Sequence, residues 1–398
     1  MADSTEPRRG DRLRVMISCG EPSGDLYAGA LASEILKLEP DAAITGFGSE
    51  RLRAAGASLV RDFKGLSVTG LTEALRVIPR SWQNYRALVR AAESERPDVF
   101  VPIDFPDFNF FLARALHKRG VPIVYYISPQ LWAWRRGRLK TMKRVTDRVL
   151  VIFPFEKPFY DEAGVPATFV GHPLLELTGP PVPRDTFLRA RGLDPSKPVV
   201  AILPGSRRNE LRAILPDLVR TSGAIAARVP AAQFIVARAP HLDDELLAPL
   251  AEWPAHATRP VVIEGETDAV LASADVAVVA SGTVTVQAAL HGCPMVVVYR
   301  VGPLTYKLGK PLLHVNTYAM VNLVAGTRVV PELIQDAFTP EAAAAEALRV
   351  LTDPAHAAKV KRDLADVRAR LGTAGASRRA AEAVIEIARA GRERRSLS

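Results

Sequence analysis

The sequence predicts an α/β fold of two tandem doubly wound, Rossmann-like domains facing a cleft. Three observations lead there. Short β-branched runs alternate with stretches of helical spacing along most of the 398 residues, the pattern of parallel sheets covered by helices. A strand, a small-residue turn and a helix recur in that order at 13–25 (LRVMISC then GEPSGD), 199–211 (VVAIL then PGSRRNEL) and 274–290 (ADVAVVA then SGTVTVQAAL). A proline-rich stretch from Thr178 to Pro198 divides the series in two.

The first domain is expected at 1–178. Leu13 to Cys19 reads as its first strand, GEPSGD as a loop and Leu26 to Leu38 as a helix. The loop is not GxGxxG, so a dinucleotide site is poorly supported. Glu21 and Asp25 make it acidic, which repels phosphate and suits a hydroxyl-rich ligand; a helix cap explains Asp25 as well. Ala43 to Phe47 and Val99 to Ile103 are further strands, and the second ends in DFPDFN (104–109). Ligands of parallel sheets sit at the carboxyl ends of the strands. Asp104 falls there, where a carboxylate can act as general base on a hydroxyl, with Asp107 and Asn109 close by. A turn built on Pro106 explains the chain reversal but not a carboxylate beside an apolar strand.

Val121 to Ile127 is the next strand. It leads into SPQLWAWRRGRLKTMKR, where Trp132 and Trp134 sit among Arg135, Arg136, Arg138, Lys140, Lys143 and Arg144. Such a run can grip a sugar, a phosphate or a lipid headgroup, or form a basic surface helix over a buried tryptophan. Val149 to Phe153 and Ala167 to Val170 are strands, the latter followed by His172, whose commoner role is structural. Leu66, Val68, Leu71, Leu75, Val77 and Ile78, with Arg76, Arg80 and Trp82, lie outside the strand rhythm. They fit a membrane surface or packing within their own domain.

Residues 179–198 are expected as a linker and 199–365 as the second domain. Its strands read as Val199 to Leu203, Gln233 to Ala237, Val261 to Glu264, Val276 to Ala280 and Pro294 to Tyr299. After the first, Gly205 and Ser206 offer N–H groups, and Arg207 and Arg208 add charge suited to bidentate phosphate contact, with Glu210 placed to orient Arg207. After Ala280, Ser281-Gly282-Thr283 turns the chain into a helix over 284–290. Unpaired N–H groups and the helix dipole at such a start attract phosphate. A serine-capped helix explains the same residues. Residues 366–398 are expected as a C-terminal helix and a frayed basic tail, with the option of crossing back to the first domain.

The hydrophobic share of 48% and mean hydropathy of +0.07 suit a soluble globular protein, and no apolar run approaches the about 18 residues of a membrane span. Net charge of +9 favours anionic partners. The absence of a long basic block argues against nucleic acid. Cys19 and Cys293 have no ligand-spaced partners, so neither a metal site nor a disulfide framework is expected. The polar N-terminus does not read as a signal peptide, and the expected compartment is a reducing cytoplasm.

Taken together, GEPSGD (20–25), PDVFVPIDFPDFN (97–109), YYISPQLWAWRRGR (125–138), FPFEKPFY (153–160), GHP (171–173), LPGSRRNE (203–210), ASGTVTVQ (280–287) and PMVVVYR (294–300) resemble the lipid-A-disaccharide synthase family, from about residue 13 to about residue 338. The resemblance implies a two-domain GT-B glycosyltransferase without cofactor or metal. It implies that UDP-2,3-diacylglucosamine is joined to 2,3-diacylglucosamine 1-phosphate (lipid X), giving the β-1,6 disaccharide 1-phosphate and UDP with inversion. Peripheral attachment to the cytoplasmic face of the inner membrane is implied, and a homodimer is allowed. By motif position Asp104 is the base and Glu21 a second acidic group. Asp25, Asp107, Asn109 and Trp132 are further substrate contacts. Arg207, oriented by Glu210, meets the diphosphate, and Ser281, Gly282 and Thr283 cap phosphate. Asn322, Glu332 and Gln335 match the family's NLxAG and VxELxQ segments. Two positions depart from the pattern: Gln287 stands where the family usually has a ribose-binding Glu, and Val321 where it tends to have Pro.

Two other classes compete. One is another UDP-sugar enzyme of this fold, a UDP-N-acetylglucosamine 2-epimerase or the cell-wall intermediate transferase. The apolar run at 66–82 argues against the epimerase, and GEPSGD and SPQLWAWR against the transferase. The other is a non-catalytic binding protein, suggested by Gln287 and opposed by Asp104, Glu21 and Arg207.

Overall fold

The computed structural model describes residues 12–63, 71–179, 182–240, 242–302 and 317–396. Leu66 and Val68 of the apolar run, and the side chains of 71–77, lie outside this set. The chain forms two compact units, Met1–Leu177 with Gly372–Ser398, and Thr178–Leu371.

In the first unit β1 (Arg14–Ser18), β2 (Ala43–Gly48), β3 (Ser58–Asp62) and β4 (Val99–Pro102) form a parallel sheet in the order β3-β2-β1-β4. Three more parallel strands follow, β5 (Val124–Tyr126), β6 (Arg148–Val151) and β7 (Ala167–Phe169). Single bridges Phe100–Ile123 and Ile103–Tyr126 tie β5 to β4. The helices are α1 (Pro22–Leu38), α2 (Glu50–Ala54), α3 (Leu71–Glu95), α4 (Pro106–His117), α5 (Leu139–Val145), α6 (Glu156–Glu162) and α7 (Leu174–Leu177). Proline starts both α1 and α4, where its missing N–H costs nothing. Four of the six residues of the expected 20–25 loop are therefore the first turn of α1. The short, half-buried β3 was not legible as a strand.

The second unit opens with α8 (Arg184–Arg189) and carries six parallel strands: β8 (Val199–Leu203), β9 (Gln233–Arg238), β10 (Val261–Glu264), β11 (Val276–Ala280), β12 (Met295–Tyr299) and β13 (Glu332–Ile334). Their order is β10-β9-β8-β11-β12-β13, the doubly wound arrangement. β8 and β11 are buried on both faces, which is why they read as unbroken apolar runs. Val200, Ile202, Val278 and Val296 pack on Ile214 and Leu218 of α9 (Arg208–Arg228). The remaining helices are α10 (Thr267–Ser273), α11 (Val284–Leu290), α12 (Met320–Ala325), α13 (Pro340–Thr352) and α14 (Pro354–Arg370).

Two boundaries differ from expectation. The 179–198 stretch belongs to the second unit: Arg184 pairs with Asp275 at 2.8 Å and donates to the carbonyls of Ser273 and Pro195. Residues 366–371 stay with the second unit in α14, and the chain then enters α15 (Ala376–Ser396), which packs on α1, β4 and β5 of the first. Glu176 accepts the N–H groups of Gly375 and of Ser377 (2.8 Å) at the α15 start. Near its end Arg392 and Arg395 reach Asp98 at 3.5 and 2.5 Å, so the basic C-terminal turn is an anchored helix instead of a frayed tail.

Candidate active site

Where a doubly wound sheet reverses its winding, the loops after two neighbouring strands diverge and leave a crevice. In the first unit that point lies between β1 and β4. Ser18 pairs with Pro102, so the two strands end level, with Glu21 after one and Asp104 after the other. Asp104 and Phe105 both have left-handed backbones, with φ of 44° and 47°. For residues with a side chain this costs about 1–3 kcal/mol each, so something must hold it. Asn109, fully buried, does so. Its amide N–H₂ donates to the carbonyls of Asp104 (2.8 Å), Ile103 (3.2 Å) and Ser18 (3.2 Å), and its oxygen accepts from the Ser18 hydroxyl at 2.7 Å. Tyr125 adds a bond from its hydroxyl to the Asp104 carbonyl at 2.9 Å. Gly20 leaves room for the Phe105 ring, which a Cβ there would strike.

Asp104 lines a cavity of about 180 Å³ together with Trp134, Arg135 and Arg138. Both arginines pair with Asp107. Arg135 Nη1 donates to Asp107 Oδ1 at 2.6 Å, and Arg138 Nη2 donates to the same oxygen. Burial raises the Asp107 carboxyl, but Arg138 and then Arg135 outweigh it and hold the group below the usual range.

In the second unit the reversal lies between β8 and β11. Glu210 Oε1 holds Arg207 Nη1 at 3.0 Å, and its Oε2 accepts the Ser206 N–H at 3.3 Å. Gly205, at φ 111°, admits this arrangement: a Cβ would press on Glu210. After β11 the Ser281 N–H is taken by the Val298 carbonyl at 3.0 Å. The N–H groups of Gly282 and Thr283 have no partner among the described residues and lie beside the 205–207 turn, since β8 pairs with β11. Gln287 donates to Asp268 Oδ1 at 3.3 Å, and His291 Nε2 lies 2.9 Å from the same oxygen.

Comparison with known proteins decides what this arrangement belongs to. The model of the lipid-A-disaccharide synthetase family matches residues 15–387. The lipid-A-disaccharide synthase of Geobacter metallireducens is 44% identical over 94% of this chain and 97% of its own length, and that of Myxococcus xanthus is 43% identical over 95% and 98%. The chain belongs to the lipid-A-disaccharide synthase family. Among solved structures, a UDP-GlcNAc 2-epimerase from Neisseria meningitidis bound to UDP-GlcNAc superposes with TM-score 0.66 at 12% identity, over 94% of this chain and all of that one. The calicheamicin glycosyltransferase CalG4 gives 0.58 at 18%, over 95% and 98%. These likenesses carry the fold, doubly wound α/β units of the GT-B type, and the family makes the protein a glycosyltransferase.

Of the candidate substrate contacts, Asp25, Asn109, Trp132, Asn322 and Glu332 also carry bonds within the protein, and so do Gln335 and His172. Asn109 is the buried latch described above. Asp25, 4% exposed, accepts the N–H groups of Ser49 (2.7 Å) and Arg51 (2.8 Å) and caps α2. Asn322 and Glu332 are buried and bonded at 2.7 Å; Glu332 also takes the N–H groups of Tyr318 and Ala319, and Asn322 those of Val329 and Val330. Gln335 bonds the Val301 backbone at 3.3 Å. His172 is buried, held neutral with a pKa depressed to about 3 by burial, and its Nδ1 accepts the Leu174 N–H. Trp132 is 7% exposed and donates to Glu156 Oε1 at 3.3 Å.

Glu156 organises the loop that carries the cavity wall. Its carboxyl also accepts from Ser128 and from the Ile152 and Phe153 N–H groups. Burial nonetheless pushes it up from 4.5 to about 7. The folded protein thus keeps this proton where the unfolded chain has lost it. The resulting stability is complete below about pH 4.5 and falls as pH rises through 7, by about 3 kcal/mol. Urea unfolding at pH 5 and pH 7.5 should show this loss, and Glu156→Gln should lack it. Equal pH slopes in the two proteins would contradict the assignment.

Proposed function

We propose that the protein joins UDP-2,3-diacylglucosamine to 2,3-diacylglucosamine 1-phosphate, forming a β-1,6 linkage and releasing UDP. The observation that carries this reading is the division of chemistry between the two points of reversal. Carboxylates stand at the first, and Arg207 with the backbone N–H groups of Gly282 and Thr283 at the second. Asp104 takes the proton of the acceptor 6-hydroxyl as its oxygen attacks the anomeric carbon of the donor. The C–O bond to the diphosphate breaks on the opposite face, so the centre inverts in one displacement. Glu21, at the neighbouring strand end, holds acceptor hydroxyls. Arg207 and the N–H groups of Gly282 and Thr283 stabilise the charge that develops on the leaving UDP. With that charge met by protein groups, the reaction needs no metal. Gln287 and Asp268 together offer an amide and a carboxylate to the ribose hydroxyls. The charge expected at position 287 is thereby supplied from α10.

The test is product formation from the two substrates in the presence of a chelator, comparing wild type with Asp104→Asn. The reading predicts disaccharide 1-phosphate from wild type and a loss of about 10³-fold or more in the variant, with UDP affinity unchanged. Folded protein that binds UDP yet makes no disaccharide would move the assignment to another UDP-sugar reaction.

We also propose that the first unit docks on the cytoplasmic face of the inner membrane. Among the described residues no helix is long and apolar enough to cross a membrane. Instead Ile78 and Trp82 on α3 and Phe111 on the adjoining α4 are 58%, 55% and 63% exposed, and Arg86 lies 5.6 Å over the Trp82 ring. Exposed apolar and aromatic groups with basic neighbours suit an anionic lipid surface. Flotation with anionic phospholipid vesicles at low salt should carry wild type upward and leave Trp82→Ser/Phe111→Ser largely behind. Equal flotation of both would remove this part of the reading.

A further inference from the structure

We propose that Arg135 and Arg138 form a subsite for a phosphomonoester on the acceptor sugar, in the same cavity that Asp104 lines. This rests on the reading of Asp104 as the base that meets the acceptor hydroxyl. At about 180 Å³ the cavity lies below the roughly 300–1,000 Å³ of pockets that enclose whole ligands, so it takes a headgroup and leaves acyl chains outside. Both arginines line it, and each has partners within the protein. Each leans on an aromatic ring, Arg135 at 4.3 Å from the Trp134 centroid and Arg138 at 5.4 Å from that of Phe110. Each donates to a single oxygen, Asp107 Oδ1, although a guanidinium carries five N–H groups. Arg135 also has a left-handed backbone, φ 55°, the kind of local strain that clusters at ligand sites.

Charge and geometry agree. The two arginines share one aspartate that is not among the lining residues, and the other charged residue of the lining is Asp104. A dianionic phosphate complements the arginines, and a neutral hydroxyl complements Asp104. Planar guanidiniums that are already oriented bind phosphate oxygens in pairs with little further loss of freedom. A sugar that offers its hydroxyl to Asp104 and its phosphate to Arg135 and Arg138 is fixed at two points, so one ring hydroxyl is selected for attack. The donor diphosphate has its own arginine, Arg207, in the second unit, and the two phosphate sites are chemically independent.

The same chemistry could come from a free phosphate or from an anionic lipid headgroup, and the experiment separates them. Kinetics are measured in neutral detergent with 2,3-diacylglucosamine 1-phosphate and with 2,3-diacylglucosamine as acceptors, for wild type, Arg135→Ala, Arg138→Ala and Arg138→Lys. The proposal predicts that wild type prefers the phosphorylated acceptor. Either alanine variant should lower kcat/KM for it by about 10- to 100-fold, mostly through KM, while changing the other acceptor less than about threefold. Arg138→Lys should keep part of the preference, and it reads the same quantity if the alanine variant melts early. UDP affinity should not move. Equal losses on both acceptors would overturn the subsite while leaving the reaction intact. A defect seen only with anionic vesicles, and alike for both acceptors, would give the arginines to a lipid headgroup and overturn it. So would inhibition by inorganic phosphate that disappears in the variants while the acceptor preference stays. If wild type couples neither acceptor, the reaction itself is wrong and the subsite falls with it.

Discussion

Asn109 bonds the end of β1 to the turn after β4, and the first unit's chemistry depends on that bond. Two consecutive residues, Asp104 and Phe105, sit in the left-handed region, which neither favours. Left alone, the turn would relax to an ordinary one and swing the Asp104 carboxylate away. Three carbonyls and the Ser18 hydroxyl meet one buried amide, and each would be left unsatisfied if the turn moved. Buried polar groups of this kind cost little when all partners are present and a great deal when one is missing. Phe105 adds a steric condition, because its ring fits only over a residue without Cβ, which is Gly20.

The two units use one topology to present different groups. Each sheet reverses its winding, between β1 and β4 in one and between β8 and β11 in the other. In the first the turns present Glu21 and Asp104, suited to hydroxyls. In the second they present Gly205, Arg207, Gly282 and Thr283, suited to phosphate. Buried carboxylates brace each set. Glu210 aims Arg207, Glu156 gathers the loop behind the cavity, and Glu332 with Asn322 closes the segment before β13. These bracing groups are polar residues on otherwise apolar ground, a pattern that in a sequence looks the same as a substrate contact.

The strands, their parallel pairing and the division into two α/β units were legible because β4, β8 and β11 are buried on both faces and read as short apolar runs. The edges were legible for the same reason: a loop that follows such a strand must lie at its carboxyl end. What was not legible was the direction a side chain takes within a loop. Asn109 and Asp107 stand two residues apart, and one turns inward to the backbone while the other turns outward to arginines. The pairing of Asp107 with Arg135 and Arg138 spans 28 and 31 residues of chain. The basic run at 135–144 fitted a sugar, a phosphate, a lipid headgroup or a plain surface helix, and nothing in it said which arginines would line the cavity. Likewise Asp25 read equally as a contact of the 20–25 loop or as a helix cap, and the helix whose N–H groups it accepts, α2, begins 25 residues further along the chain.

The most direct test of this account is the single-turnover rate of Asn109→Ala with both substrates saturating. Asn109 is fully buried with its amide bonded to the Ser18, Ile103 and Asp104 carbonyls and to the Ser18 hydroxyl, so its effect on the rate is expected to pass through the position of Asp104. The account predicts a rate about 10²-fold or more below wild type, the scale of a misplaced catalytic group, with UDP affinity unchanged. A rate within about threefold of wild type, in a variant that remains folded, would mean that the left-handed turn holds itself and that the latch is not what places the base.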